Sequence, residues 1–208
     1  MVYPQLSTAN DYVMQGDSLL FEERYAEAVD SYTKAIQIQP STFEAWIGKG
    51  KALRQLKQYK AALEVYNQAI EIQAHDANAW NGKGNTLNKL GLYQDALDCF
   101  EKSIQLDPTY YDPWVNRGFS LDNLGRHEDF EASINKAIAL APEKPQAYQN
   151  NAFHYALLNN VRLAVENLRK AISLDPSSAS QGLLSSQFFD PIRADELFKQ
   201  LVQENASK

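Results

Sequence analysis

Small and apolar residues recur along the chain with a helical spacing, and the whole pattern repeats every 34 residues. One series of small residues is Gly16, Gly50, Gly84, Gly118 and Ala152. An aromatic residue stands four positions before each of them: Tyr12, Trp46, Trp80, Trp114 and Tyr148. Because independent positions agree on one period, the sequence predicts five repeats, at residues 9–42, 43–76, 77–110, 111–144 and 145–178.

Each repeat has the pattern of two helices joined by a tight turn. In the third repeat the first helix carries Trp80 and Leu87 on one face, and Gly91 follows where a helix end favours a left-handed residue. The second helix runs from Gln94 to Gln105, and Pro108 prevents it from continuing. The sequence therefore predicts an all-helical chain.

The recurring small residues have a mechanical explanation. Two helices approach to about 8–10 Å only where the side chains at their crossing are small. Gly84 and Ala96 meet this condition in the third repeat, and the aromatic residues fill the space around the crossing. We therefore interpret the three tryptophans as core residues that need no ligand.

The order of aromatic, glycine, turn, small residues and proline resembles the tetratricopeptide repeat over residues 9–178. The resemblance implies a right-handed superhelical α-solenoid of five helix-turn-helix repeats. It is specific for the fold and weak for function, because this fold serves many unrelated partners.

The ends of the chain depart from the period. Residues 1–8 form a short lead, and residues 179–208 are predicted to be a C-terminal helical cap that covers the last repeat with phenylalanines and leucines. The alternative is that this tail is a docking surface. Similar tails with Phe-Asp-Pro follow such arrays in bacterial proteins, so the resemblance favours a bacterial member of the family.

The fourth repeat also departs from the pattern. Phe130 stands where the other repeats have alanine: Ala28, Ala62, Ala96 and Ala164. A larger side chain at a close crossing strains the packing by about 1–3 kcal/mol. We therefore expect the second helix of this repeat to be rotated or moved outward.

Composition excludes several classes of protein. The net charge is −6 and the basic residues are scattered, so a nucleic-acid partner is disfavoured. Cys99 is the only cysteine, which excludes an internal disulfide and fits a reducing compartment. The sequence shows neither a secretory signal nor an apolar stretch long enough to span a membrane, so we expect a cytoplasmic protein without membrane insertion.

Residues with catalytic or metal-binding chemistry do not converge in the sequence. His75, His127 and His154 are far apart, and Cys99 falls on the buried side of a second helix. No phosphate-binding loop or nucleophile elbow is present. We therefore predict no catalytic residue, no metal site and no cofactor, and hence not an enzyme.

The resemblance implies that the first helices line a concave groove. Four asparagines lie on one face of a first helix, and amide groups can bond a peptide backbone of any sequence. One alternative is that this face is merely solvated. Another is that the altered packing around Phe130, or the C-terminal tail, covers Phe119 and Phe153. We expect one continuous binding surface formed by Lys51, Arg54, Asn78, Asn81, Asn85, Asn88, Asn116, Phe119, Asn150 and Phe153.

The leading functional hypothesis is a protein-interaction scaffold that binds an extended peptide or short helix of a partner. Lys51 and Arg54 favour a ligand with an acidic group. Two alternatives remain open at this point. The chain could be a structural module that associates with itself, or a regulatory fragment of a larger enzyme or signalling protein.

Overall fold

The computed structural model describes residues 8–177 and 182–206, in which every regular element is a helix. The ten repeat helices are α1 (Ala9–Phe21), α2 (Tyr25–Ile38), α3 (Phe43–Gln55), α4 (Tyr59–Ile72), α5 (Ala77–Lys89), α6 (Tyr93–Leu106), α7 (Tyr111–Asn123), α8 (His127–Leu140), α9 (Pro145–Leu157) and α10 (Val161–Leu174). The predicted all-helical repeat fold is confirmed. None of the helices in these two ranges combines the length and the apolar composition that crossing a bilayer requires.

The chain divides into two compact units at Pro108 and Thr109. The first unit contains α1 to α6, and the second contains α7 to α10 and the tail. In the tail, two short 3-10 helices (Leu183–Ser185 and Gln187–Ile192) precede a last helix, α11 (Glu196–Ala206).

An aromatic ring from each second helix of the first unit packs against glycine in the first helices. A Cβ added at Gly16 or Gly48 would lie 2.6 or 2.3 Å from the ring of Tyr32, which is fully buried. Tyr66 packs in the same way between Gly50 and Gly82. Each tyrosine therefore joins its own repeat to the next one.

The aromatic residue at the start of a first helix has a hydrogen bond as well as a packing role. Trp46 donates from Nε1 to the carbonyl of Pro40 at 2.8 Å, and Trp80 donates to the carbonyl of Ala74 at 2.9 Å. Each indole thus ties a first helix to the segment that ends the preceding repeat. The repeat pattern predicts that these residues are structural. The hydrogen bonds show how they act, which the pattern alone did not.

Each turn between paired helices contains one residue with positive φ. Gly91 and Gly125 have φ of 75° and 70°, whereas Glu23, Lys57 and Asn159 occupy the equivalent place with φ between 54° and 60°. Glycine adopts this conformation without penalty, but a residue with a Cβ is strained by about 1–2 kcal/mol. The turn geometry is thus constant, and only some repeats carry the residue best suited to it.

The substitution at Phe130 is accommodated by an exchange of large and small residues. Phe130 is 1% exposed, and the next buried position on the same face of α8 is Ile134, where other repeats have Tyr32, Tyr66, Phe100 or Leu168. A Cβ at Gly118 would meet Ile134 at 2.7 Å and Phe130 only at 3.6 Å. Since the smaller isoleucine offsets the added ring, burial of Phe130 does not require α8 to move outward.

The tail shares a hydrophobic core with the fifth repeat. Leu184, Phe189, Ile192, Phe198 and Leu201 are all buried in one cluster with residues of α9 and α10. Arg169 of α10 also forms an ion pair with Glu204 of α11. The apolar surface that would otherwise end the array is therefore covered, although Phe188 remains 37% exposed.

Replacing Gly84 with leucine should destabilise the protein far more than replacing its neighbour Asn85. A Cβ at Gly84 would lie 2.7 Å from the buried ring of Phe100, and overpacking of this kind costs at least about 1–3 kcal/mol. Asn85 is half-buried on another face of α5, where a change of about 0.5 kcal/mol is expected. Urea unfolding of both variants measures the difference, and equal midpoints would contradict the packing described.

Replacing Lys57 with glycine should stabilise the protein by about 1 kcal/mol, because it removes the strain of a positive φ at an exposed position. Glu64→Gly provides the control, since Glu64 is exposed within α4 and glycine there should cost about 0.5–1 kcal/mol. Thermal unfolding should move in opposite directions for the two variants. A loss of stability in both would mean that the turn is not strained.

Replacing Phe198 with alanine should cost about 3–5 kcal/mol, because the side chain is 1% exposed in the core shared by the tail and the fifth repeat. The adjacent Leu197 is 38% exposed, so Leu197→Ala should cost less than about 1 kcal/mol. Chemical unfolding distinguishes the two. If Phe198→Ala unfolds like the parent, the tail contributes no stability to the repeats.

Candidate functional site

The first compact unit presents two cations on α3. Lys51 is exposed and Arg54, three residues later on the same helix, is half-buried. The Nε of Arg54 is buried and has no hydrogen-bond partner among the described residues. A buried donor without a partner is unfavourable unless water or a ligand supplies an acceptor.

The hydroxyl of Tyr66 is a second buried donor without a partner in the described part of the chain. Burial raises the pKa of Tyr66 to about 12, and the nearby Arg54 guanidinium opposes this rise to a smaller extent. The phenol is therefore protonated at neutral pH and can donate a hydrogen bond. Sequence reasoning did not select Tyr66, because its ring is a core residue.

Comparison with the first repeat explains why the Tyr66 hydroxyl lacks an acceptor. The equivalent Tyr32 donates to Oδ1 of Asp17 at 2.6 Å. The position equivalent to Asp17 is occupied by Lys51 in the second repeat, and an ammonium group cannot accept a hydrogen bond. The internal carboxylate of the first repeat is thus replaced by a cation in the second. The exchange is visible in the sequence, because Asp17 and Lys51 each stand 15 residues before the tyrosine of their repeat.

The four asparagines of α5 differ in exposure. Asn78 is exposed, Asn85 and Asn88 are half-buried, and Asn81 is only 6% exposed. The position of Asn81 is occupied by Val13 and Ile47 in the two preceding repeats, and both of these are buried as well. Asn81 therefore belongs to the packing between repeats, and Asn78, Asn85 and Asn88 remain candidates for ligand contact.

The second compact unit carries an apolar pocket of about 60 Å³ on α7 and α9. Phe119 and Phe153 both line it, and Phe119 is 36% exposed. The tail covers part of this surface, because Phe153 lies 4.8 Å from Phe188 and 5.1 Å from Phe189 between ring centroids. The remaining lining residues are Asp122, Asn123, Phe130, Asn150, Leu157 and Phe188.

Asn150 and Asn116 are the other two predicted contact residues of the second compact unit, and Asn150 lines this pocket. Asn150 donates from Nδ2 to the carbonyl of Val115 at 3.4 Å, which orients its amide. Asn116 is half-buried on α7. The structure thus brings Phe119, Asn150 and Phe153 together at one pocket.

The prediction that no metal ligands converge is wrong for the second compact unit. Nδ1 of His154 lies 2.7 Å from Oδ1 of Asp122, and Nδ1 of His127 lies 3.5 Å from the same oxygen. His127 and His154 lie in adjacent repeats, so their separation in the sequence does not separate them in the fold. His75 is exposed in the linker between α4 and α5, within the first compact unit.

Cys99 has the environment expected of a core thiol. It is 4% exposed, and burial raises the pKa of its thiol to about 11. The reactive thiolate form is therefore scarce at neutral pH. This agrees with the interpretation of Cys99 as a structural residue.

Four family models described as tetratricopeptide repeat match the chain, at residues 13–79, 77–110, 99–129 and 145–178. Comparison with the curated proteins finds no match.

Several solved structures are similar in fold. PilW, described as a widely conserved type IV pilus biogenesis factor, has a TM-score of 0.80 and 22% identity, covering 96% of this chain and 90% of its own. TTC0263, a protein of Thermus thermophilus, has a TM-score of 0.77 and 19% identity, covering 89% and 99%. YrrB, described as having an unusual peptide-binding site, has a TM-score of 0.61 and 23% identity, covering 81% and 87%. At these identities the likeness concerns the fold alone.

Proposed function

Because the chain belongs to the tetratricopeptide repeat family, we propose that it is a protein-interaction scaffold and that its first compact unit binds a carboxylate of a partner peptide at Arg54 and Tyr66. The fold implies protein or peptide partners, and the family typically serves binding and not catalysis. YrrB, which is similar in fold, is described as a peptide-binding member. Because the fold does not identify the ligand, its chemistry has to be inferred from the residues of this chain.

The observation that carries the proposal is the pair of unpartnered donors on Arg54 and Tyr66. In the first repeat the same tyrosine position is satisfied by a carboxylate of the chain itself, Asp17. A ligand carboxylate bound in the second repeat would accept from the Tyr66 hydroxyl as Asp17 accepts from Tyr32. It would also accept from the Arg54 guanidinium, which is well suited to bind carboxylates.

Lys51 adds a second cation to the proposed site. It occupies the position equivalent to Asp17, so a carboxylate that replaces the missing acceptor would also be attracted by its ammonium group. The exposed and half-buried asparagines on α5, namely Asn78, Asn85 and Asn88, extend the polar surface toward the ligand backbone. Charge therefore selects the ligand group, and amides hold the peptide without selecting its sequence.

The pocket of the second compact unit provides a separate contact for an apolar side chain. Phe119 and Phe153 line it, and an apolar side chain that enters it would remove ring surface from water. Asn150 lies at the same pocket, where its amide can bond a peptide backbone. We assign this surface to the same scaffold function.

A cytoplasmic location remains part of the proposal and rests on the single, buried Cys99.

Selection of a random peptide library displayed on phage, with the untagged protein as bait, provides a defined ligand. We expect the enriched peptides to contain aspartate or glutamate. A synthetic copy in which this residue is changed to asparagine or glutamine should bind at least tenfold more weakly, because it loses a charge-assisted hydrogen bond. Enrichment of peptides without acidic residues would contradict the proposed carboxylate site.

Tyr66→Phe should weaken binding of that peptide by about ten- to a hundredfold, because a hydrogen bond to a charged group is worth about 1.5–3 kcal/mol. Removing this hydroxyl should leave stability unchanged or slightly higher, since it has no partner in the described residues. Tyr32→Phe is the matched control. It loses the bond to Asp17, so it should unfold more easily and bind like the parent.

Titration calorimetry and urea unfolding of the two variants, together with Arg54→Gln, complete the test. Added salt should reduce the difference between Arg54→Gln and the parent, because partly exposed charges are screened. The proposed carboxylate site would be contradicted if Tyr66→Phe and Arg54→Gln bound normally while Glu64→Ala or Glu101→Ala lost binding. The exposed face of the second helices would then be the binding surface.

A further inference from the structure

Asp122, His127 and His154 bring three metal-ligating side chains together from three elements of the second compact unit. Asp122 lies near the end of α7, His127 is the first residue of α8, and His154 lies on α9. One potential ligand atom from each lies within 4.8 Å of the others. The two histidines share the carboxylate oxygen Oδ1 of Asp122 as their nearest acidic atom, at 2.7 and 3.5 Å.

Packing of the repeats does not require these residue types. The position of His127 is occupied by tyrosine in the first three repeats, and the position of His154 by the small residues Ser18, Ala52, Thr86 and Ser120. The position of Asp122 varies among Leu20, Arg54, Asn88 and Ala156. All three substitutions coincide where the fourth and fifth repeats meet, although the other repeats form the same helices without them.

The environment of the cluster is asymmetric. The side chain of His154 is 1% exposed, and its ring stacks on Phe130 at 4.1 Å between centroids with an interplanar angle of 23°. The side chain of Asp122 is 14% exposed and that of His127 is 49% exposed. The cluster therefore has an apolar wall on the His154 side and access to solvent on the His127 side.

The pairing of Asp122 with His154 does not satisfy the buried imidazole. His154 uses Nδ1 toward Asp122, but its Nε2 is buried and has no hydrogen-bond partner among the described residues. A metal ion on Nδ1 would not give Nε2 a partner either, so this atom bears on the strength of the site and not on its existence.

We propose that Asp122, His127 and His154 bind one divalent transition-metal ion of the Zn²⁺ type. Two imidazole nitrogens and one carboxylate oxygen form a common ligand set for such ions. A tetrahedral ion holds its ligands at about 2.0–2.2 Å, so neighbouring ligand atoms lie roughly 3.3 Å apart. The two distances measured from Asp122 Oδ1, 2.7 and 3.5 Å, bracket this value. All three ligand atoms lie within 4.8 Å of one another, so an ion would draw the side chains closer together.

The same geometry sets the strength and the selectivity of the site. Three protein ligands leave one coordination position for water or for a donor atom of a partner, and Asp122 also lines the apolar pocket. The unpartnered Nε2 of His154 means that a metal on Nδ1 lacks the outer acceptor that usually strengthens histidine ligands. Binding is therefore weaker than at a closed structural zinc site, and nitrogen ligands disfavour Mg²⁺ and Ca²⁺.

The test uses the untagged full chain and Co²⁺, whose visible absorption reports coordination, followed by displacement with Zn²⁺. The expected result is one ion per chain, with an absorption band typical of four-coordinate Co²⁺ that Zn²⁺ removes and Mg²⁺ does not. Absence of binding by both Co²⁺ and Zn²⁺ would overturn the proposal.

Three variants locate the ion. His127→Gln changes a half-exposed side chain and should fold normally, and it should weaken binding at least tenfold. Asp122→Asn should have a similar effect, whereas His75→Gln, which changes an exposed histidine of the other compact unit, should bind like the parent. Circular dichroism of each variant verifies that the helices are intact. Unchanged binding by His127→Gln and Asp122→Asn, or an equal loss in His75→Gln, would place the ion elsewhere and refute the site.

Discussion

Packing of an aromatic ring against glycine is the contact on which the repeat structure of the first compact unit depends. Tyr32 and Tyr66 each fill the space above one glycine of their own repeat and one of the next. Because a Cβ at any of these glycines would lie within 2.8 Å of a ring atom, the helices approach closely at this point and cannot change register without losing the fit. This contact recurs with the 34-residue period in the first three repeats, whereas the fourth and fifth repeats have Ile134 and Leu168 in place of the ring. Positions on the first helices that do not take part in it can vary, and they supply most of the candidate binding residues, including Arg54.

A tyrosine in this role brings a hydroxyl into a buried position, and each repeat of the first unit handles it differently. The first repeat supplies Asp17 as acceptor, and the third has Phe100, which carries no hydroxyl. In the second repeat Tyr66 carries a hydroxyl, lies near the cation Arg54 and has no acceptor among the described residues. Because a buried polar group without a partner is unfavourable, the Tyr66 position is less favourable in the chain alone than the equivalent positions Tyr32 and Phe100. The stabilising ring and the proposed binding hydroxyl therefore belong to the same residue.

The fold was predictable from the sequence to a greater extent than the site was. Helix pairs, their turns and the presence of a final tail helix follow from spacing and from residues such as Gly91 and Pro108. Burial of Asn81 was missed because its spacing within α5 was considered without the equivalent Val13 and Ile47. The Arg54 and Tyr66 donors depend on which partners are absent nearby, and a helical period carries no such information. The histidine cluster could have been found by superimposing adjacent repeats, since Asp122 and His154 are 32 residues apart, close to one period.

The departures from the repeat pattern around the fourth repeat are physically connected. Phe130 replaces a small residue, Ile134 replaces a large one, and His154 of the next repeat stacks on the Phe130 ring. A large imidazole at a position that is otherwise serine, alanine or threonine requires space and a flat surface, and both are available at this ring. The stacked imidazole is then held within hydrogen-bond distance of Asp122. Several contacting positions here depart from the residue pattern of the other repeats, and this lowers the quality of packing. Such departures are expected at functional sites. The irregular packing of the fourth repeat is therefore an argument for function at the Asp122 cluster, independent of the ligand that occupies it.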